Sequence, residues 1–156
     1  MGANGSYSKD WGGVPTASRT HSEFDGRIDG HKILVQSSNM SQMKIPMNSN
    51  SESPLYLCGV VDTKTGIITI KSIGIYKNHK LVGAIDIVTD KNGNLVTYTD
   101  GKKSTHYHNW QEDSTGNVGR KSHNKKNTLP VDKKFDGLLN KIVEFNKQGH
   151  IWKQKL

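Results

Sequence analysis

Apolar and polar positions are patterned most clearly in the middle of the chain. Leu55-Tyr56-Leu57-Cys58-Gly59-Val60-Val61 is a continuous apolar run of strand length, as expected for a strand buried on both faces. Asp62-Thr63-Lys64-Thr65-Gly66 follows as a hairpin turn, with Gly66 free to take a positive φ. Ile67 to Tyr76 then alternates, with Ile68, Ile70, Ile73 and Ile75 apolar. The period slips between Ile70 and Ile73, which predicts a bulge near Ser72. Lys77-Asn78-His79 is the next turn. Leu81 to Val88 is a strand with Val82, Ala84, Asp86 and Val88 on one face. Asn92-Gly93 marks another hairpin, and Leu95 to Thr99 reads as a fourth strand. Consecutive hairpins predict an antiparallel sheet.

The flanks are less regular. Residues 1–27 are rich in Gly, Ser and Asn and predict a flexible arm, with Trp11 and Phe24 as apolar docking points. Ile33-Leu34-Val35 predicts a short strand. Residues 37–54 read as a long polar loop under which Met40, Met43, Ile45 and Met47 can tuck. Residues 100–130 are polar and basic with little regular signal. Beyond them, Val131, Phe135, Leu138, Leu139, Ile142 and Phe145 repeat at helical spacing. Thr128 suits the cap of that helix, Pro130 its first turn and Gly149 the position past its end. Gly137 lowers helix stability by about 1 kcal/mol against Ala, and a close helix–sheet contact would account for it. The expected fold is α+β: an antiparallel meander of four to five strands packed against one C-terminal amphipathic helix. Residues 1–27 form the arm and residues 28–156 a single basic domain.

Composition narrows the partners. A chain of 156 residues is of ordinary single-domain length. Apolar residues are 32% and mean hydropathy is −0.70, so the core is modest. The lone cysteine, Cys58, excludes an internal disulfide and reads as a buried thiol rather than a nucleophile. No apolar run is long enough to span a membrane, and the N-terminus lacks the basic head and apolar stretch of a secretion signal. Gly2 and Ser6 match the loose myristoylation pattern, which is read as accidental. Net charge is +8 and uneven: residues 1–100 carry 10 Lys/Arg against 9 Asp/Glu, and residues 101–156 carry 12 against 5. That asymmetry favours a polyanion, RNA or DNA, over a merely solvated surface.

Chemistry centres on Thr105-His106-Tyr107-His108-Asn109-Trp110. In an extended segment His106, His108 and Trp110 project to one side. Two imidazoles titrating near neutrality suit acid–base work on a phosphodiester, one ring taking a proton while the other gives one. Arg120 and Lys121, with Lys102 and Lys103, would stabilise charge on phosphate, and His123, Lys125 and Lys126 extend the basic surface. Tyr107 or Trp110 could stack a base. No cofactor is predicted. Zinc or another divalent metal on His106 and His108, with His123 or Asp86 as third ligand, stays open, although Cys-x-x-Cys pairs and clustered carboxylates are missing. Asp86 lies inside an apolar strand, where a carboxylate needs a partner. A histidine of the pair would make it an orienting group; a backbone amide, a distant lysine or solvent would make it structural. The segments Ser18-Arg19-Thr20-His21 and Arg27-Ile28-Asp29-Gly30-His31-Lys32 add two histidines and three cations that read as exposed loop residues. There is no phosphate loop, Rossmann glycine motif or nucleophile elbow, so nucleotide-dependent and serine-hydrolase readings drop out.

The run Lys80-Leu81-Val82-Gly83-Ala84-Ile85-Asp86, followed by His106-Tyr107-His108-Asn109-Trp110 and a terminal helix, resembles a module of bacterial mobile elements, found in prophage proteins and polymorphic-toxin C-terminal domains. Some such toxin domains are metal-independent ribonucleases of the barnase or EndoU-like kind. The resemblance, over roughly residues 65–150, implies roles for Asp86, His106, His108 and Arg120. The chain departs from the toxin pattern in having no large delivery region, which points to a free-standing phage or mobile-element protein in the bacterial cytoplasm or the phage particle. The expected function is action on nucleic acid as an endoribonuclease using the His pair. The alternatives are a non-enzymatic counter-defence inhibitor that binds a host defence protein or a nucleotide signal, and a phage structural or head-associated protein.

Overall fold

The computed structural model describes residues 21–39, 45–46, 48–49, 54–112, 118–120 and 128–153. Seven strands follow one another across the sheet in chain order. They are β1 (Ser22–Ile28), β2 (His31–Ser37), β3 (Leu55–Val61), β4 (Ile68–Lys77), β5 (Lys80–Asp86), β6 (His106–Glu112) and the short β7 (Val118–Arg120). One helix, α1 (Asp136–Gln148), follows a 3-10 turn at Lys133–Phe135. Every neighbouring pair is antiparallel except β2 and β3, which run parallel and are joined through residues 38–54.

The fold is therefore α+β with a mostly antiparallel sheet, but the expected four to five strands are seven. The three that hydrophobic patterning missed are β1, β6 and the short β7; the sequences of β1 and β6, SEFDGRI and HYHNWQE, are mostly polar. Ladder pairing to an apolar neighbour, not their own composition, makes them strands. Residues 22–27, read as part of the arm, belong to β1, and residues 1–20 lie outside the described residues. Conversely, Leu95 to Thr99 is not a strand. It touches the preceding segment through one bridge, Thr89 to Leu95, and one hydrogen bond from the Val96 amide to the Val88 carbonyl.

Helix α1 covers one sheet face. Leu138, Leu139, Ile142 and Phe145 meet Ile33, Leu57, Ile68, Ile70, Ile73 and Ile85, with Trp152 closing the cluster. Each such side chain stabilises the fold by about 1.5–3 kcal/mol when buried. A second cluster on the opposite face contains Leu34, Tyr56, Cys58, Tyr76 and Leu81, with Ile45 and Trp110 packed against it. Gly149 ends α1 at φ 71°, as expected. The helix start differs from expectation. Asp132 caps the 3-10 turn by accepting from the Lys134 amide, while Leu129 bridges to Tyr107, so Thr128 and Pro130 precede the helix. A Cβ built at Gly137 meets nothing within 4 Å, so no close helix–sheet contact explains that glycine.

The predicted bulge is present. Cys58 faces Ser72 and Gly59 faces Ile70, leaving Lys71 as the extra residue of β4. Beyond Ser72, β5 leaves the ladder, and other groups take its place along β4. The Asn146 side chain from α1 accepts from the Ile70 amide at 2.8 Å and donates to the Ile70 carbonyl at 3.0 Å. The tail after the helix continues the edge, the Ile68 amide donating to the His150 carbonyl and the Trp152 amide to that of Gly66.

Candidate functional site

The bulge decides which β4 residues share a face with the chemistry. Past Lys71 the register places Leu34, Cys58, Ser72, Asp86 and His106 side by side on five successive strands. His108 stands two residues along β6, opposite Ala84. These side chains lie on the face away from α1. Asp86, the last residue of β5, is about one third exposed; His106 is 17% exposed and His108 only 2%.

Three polar atoms converge there. His108 Nε2 lies 2.9 Å from Asp86 Oδ2, His106 Nε2 lies 2.7 Å from His108 Nε2, and His106 Nε2 lies 3.4 Å from the same carboxylate oxygen. The two rings are nearly perpendicular, with centroids 4.4 Å apart. His106 Nδ1 lies 2.6 Å from the Ser104 carbonyl. A carbonyl only accepts, so Nδ1 carries the proton and Nε2 presents its lone pair in the neutral ring. The other carboxylate oxygen, Asp86 Oδ1, accepts from the Ser72 hydroxyl at 3.1 Å.

Ser104 is itself anchored. Its hydroxyl accepts from the Thr99 amide, while Thr105 pairs with the Val88 amide and carbonyl through its side chain. Both are buried, so the carbonyl that orients His106 is rigidly placed. Burial alone would raise the Asp86 carboxyl. The neighbouring His106 and His108 imidazoles outweigh it and hold the group far below the usual carboxylate range. Asp86 thus has imidazole partners while about a third of its side chain stays open to solvent.

The geometry restricts the chemistry. Both rings cannot carry a proton on Nε2, because two N–H groups would then face each other across 2.7 Å. No phosphate fits between the rings, so as placed they serve one side of a reacting bond rather than flanking it as separate acid and base.

The remaining expected site residues are dispersed. Lys102 and Lys103 are exposed on the turn leading to His106. Tyr107 points to the opposite face, against the cluster under α1, and its ring lies so close to Gly83 that a Cβ there would be 2.1 Å from its hydroxyl. Trp110 shares the imidazole face but packs on the second apolar cluster, its indole N–H buried without a partner among the described residues. Arg120 is opposite Trp110 in the β6–β7 pairing. Lys121, His123, Lys125 and Lys126 lie outside the described residues. The C-terminal lysines on α1 belong to the other layer, where Lys141 pairs with Asp29 and Lys147 donates to Asn94. Sequence reading missed Ser72, Ser104 and Thr105; the one available signal was a serine at the period slip of an otherwise apolar strand.

No protein family, curated protein or solved structure matches this chain. Among the described residues no helix is long and apolar enough to cross a membrane.

Proposed function

We propose that the protein, of phage or mobile-element origin, acts on nucleic acid and cleaves RNA at the Asp86–His106–His108 cluster. The observation that carries this reading is the convergence of two imidazoles and a carboxylate at a solvent-reachable point. His106 is the more accessible ring, and Ser104 fixes its tautomer. Its Nε2 takes the proton of a ribose 2′-hydroxyl. The 2′-oxygen then bonds to phosphorus, the bond to the 5′-oxygen breaks, and that oxygen takes a proton from solvent. As His106 charges, His108 must hold its proton on Nδ1, so that its Nε2 accepts from the imidazolium, and the Asp86 carboxylate stabilises the charge left behind. Lys102 and Lys103, with the basic segment that follows β7, supply charge for the phosphates.

Fluorescent RNA and DNA oligonucleotides of one sequence test this. The wild-type protein is expected to cut RNA, leave a 2′,3′-cyclic phosphate and spare DNA. His106→Ala should lower the rate about 100-fold or more with the fold retained. Replacing Lys102 and Lys103 by Ala should weaken binding and reduce its log–log salt slope by about 1.4. Binding without cleavage of either polymer, unchanged in His106→Ala, would overturn the enzyme reading and leave a binding protein. Retention of a host defence protein in place of nucleic acid would overturn both.

A further inference from the structure

Asp86, His106 and His108 bring three atoms of metal-ligand type to one point. With Nδ1 of His106 protonated toward Ser104, a single proton on His108 Nε2 has two acceptors, Asp86 Oδ2 at 2.9 Å and His106 Nε2 at 2.7 Å, and can point well at only one. A cation at the point of convergence would satisfy all three atoms at once. We propose that Asp86 Oδ2, His106 Nε2 and His108 Nε2 form a binding site for one divalent transition-metal ion of the zinc class.

The dimensions suit such an ion. Three atoms separated by 2.7, 2.9 and 3.4 Å lie on a circle of about 1.8 Å radius, so an ion about 2.1 Å from each sits roughly 1.1 Å off their plane. The donor set has two imidazoles and one carboxylate. That favours zinc, iron(II) or copper(II) over magnesium and calcium, which prefer oxygen ligands. The surroundings match what metal ligands need. The Ser104 carbonyl holds the distal nitrogen of His106, and the Ser72 hydroxyl holds the second oxygen of Asp86. His108 is buried and fixed, whereas Asp86 and His106 reach solvent, so an ion held by three protein atoms keeps an open side for water or a phosphate oxygen.

This inference concerns the same cluster but does not rest on RNA cleavage. It stands if the protein only binds nucleic acid. It also makes a demand on the chemistry above: with the ion bound, His106 Nε2 is a ligand and cannot serve as a base.

The test is titration of metal-stripped full-length protein with zinc chloride by calorimetry, with cobalt(II) absorption as a second readout. One equivalent is expected to bind, and cobalt should give visible bands of a low-coordinate nitrogen–oxygen site. Asp86→Asn and His106→Ala should each weaken zinc binding about 100-fold or more, and Ser72→Ala about 10-fold. His150→Ala, on the other layer, should change nothing. Circular dichroism checks each variant's fold; if His106→Ala fails to fold, the Asp86→Asn and Ser72→Ala titrations decide. No zinc or cobalt binding by the wild type at millimolar metal, or binding equally strong in folded Asp86→Asn, would overturn the proposal.

Discussion

Replacing Asn146 by Ala tests whether the helix completes the sheet at the edge of the site. The Asn146 amide gives the Ile70 amide an acceptor at 2.8 Å and the Ile70 carbonyl a donor at 3.0 Å, the two bonds a neighbouring strand would supply. β5 cannot supply them, because it leaves β4 after Asp86. Asn146→Ala removes both partners from a partly buried stretch of backbone. Each lost bond is worth about 1 kcal/mol net, and groups left unsatisfied raise the total to roughly 2–4 kcal/mol. For a chain of this length that corresponds to a fall in Tm of very roughly 4–16 °C. Urea unfolding followed by tryptophan fluorescence measures the free energy directly, and the m-value should stay constant if only stability changes. Asn146→Asp keeps the acceptor for the Ile70 amide, but sets a carboxylate against the Ile70 carbonyl and should cost at least as much. A loss below about 0.5 kcal/mol for Asn146→Ala would refute the reasoning, since surface substitutions away from any such feature fall in that range.

Two strand glycines should respond differently to Ala. At Gly59 a Cβ would lie 2.3 Å from the Thr69 carbonyl oxygen, which is backbone, so Gly59→Ala should cost more than about 3 kcal/mol or abolish soluble expression. At Gly83 the obstacle is the Tyr107 side chain, so Gly83→Ala should cost about 1–3 kcal/mol and be rescued by Tyr107→Leu, with denaturation midpoints deciding. Burial pushes the Cys58 thiol up to about 12, so it should resist a disulfide reagent at pH 8 in the native state and react at the rate of unfolding. The same shift fixes a sign. Above about pH 9 the unfolded thiol ionises while the folded one does not, the unfolded state binds fewer protons, and stability should fall as pH rises toward 12.

Sequence legibility followed apolar content. Leu55–Val61 and the next two strands were readable because their own side chains build both core clusters. The slip at Ser72 was readable because a bulge interrupts the alternation. β1 and β6 were opaque, since each owes its conformation to a neighbour's ladder. Leu95 to Thr99 misled because β-branched residues after an Asn-Gly turn satisfy local strand rules whether or not an edge is free to receive them. In the site, His106, His108 and Asp86 stood out by type and spacing. Their approach to 2.7–3.4 Å depends on the register between β5 and β6, which local patterning does not fix. Ser104 was invisible because it acts through its carbonyl, a group every residue has.

Because the strands cross the sheet in the order they are synthesised, every group that shapes the cluster comes from one continuous stretch, Ser72 to His108. Such a cassette closes through a tight β4–β5 turn and one longer connection, residues 87–105, whose entropic cost grows only slowly with length. Ties to the later chain include the Tyr107–Leu129 bridge and the bond from Lys147 to Asn94. Drift in the first hairpin or in the termini can therefore proceed with little effect on the reactive trio, whereas a single insertion between β4 and β6 would scramble it.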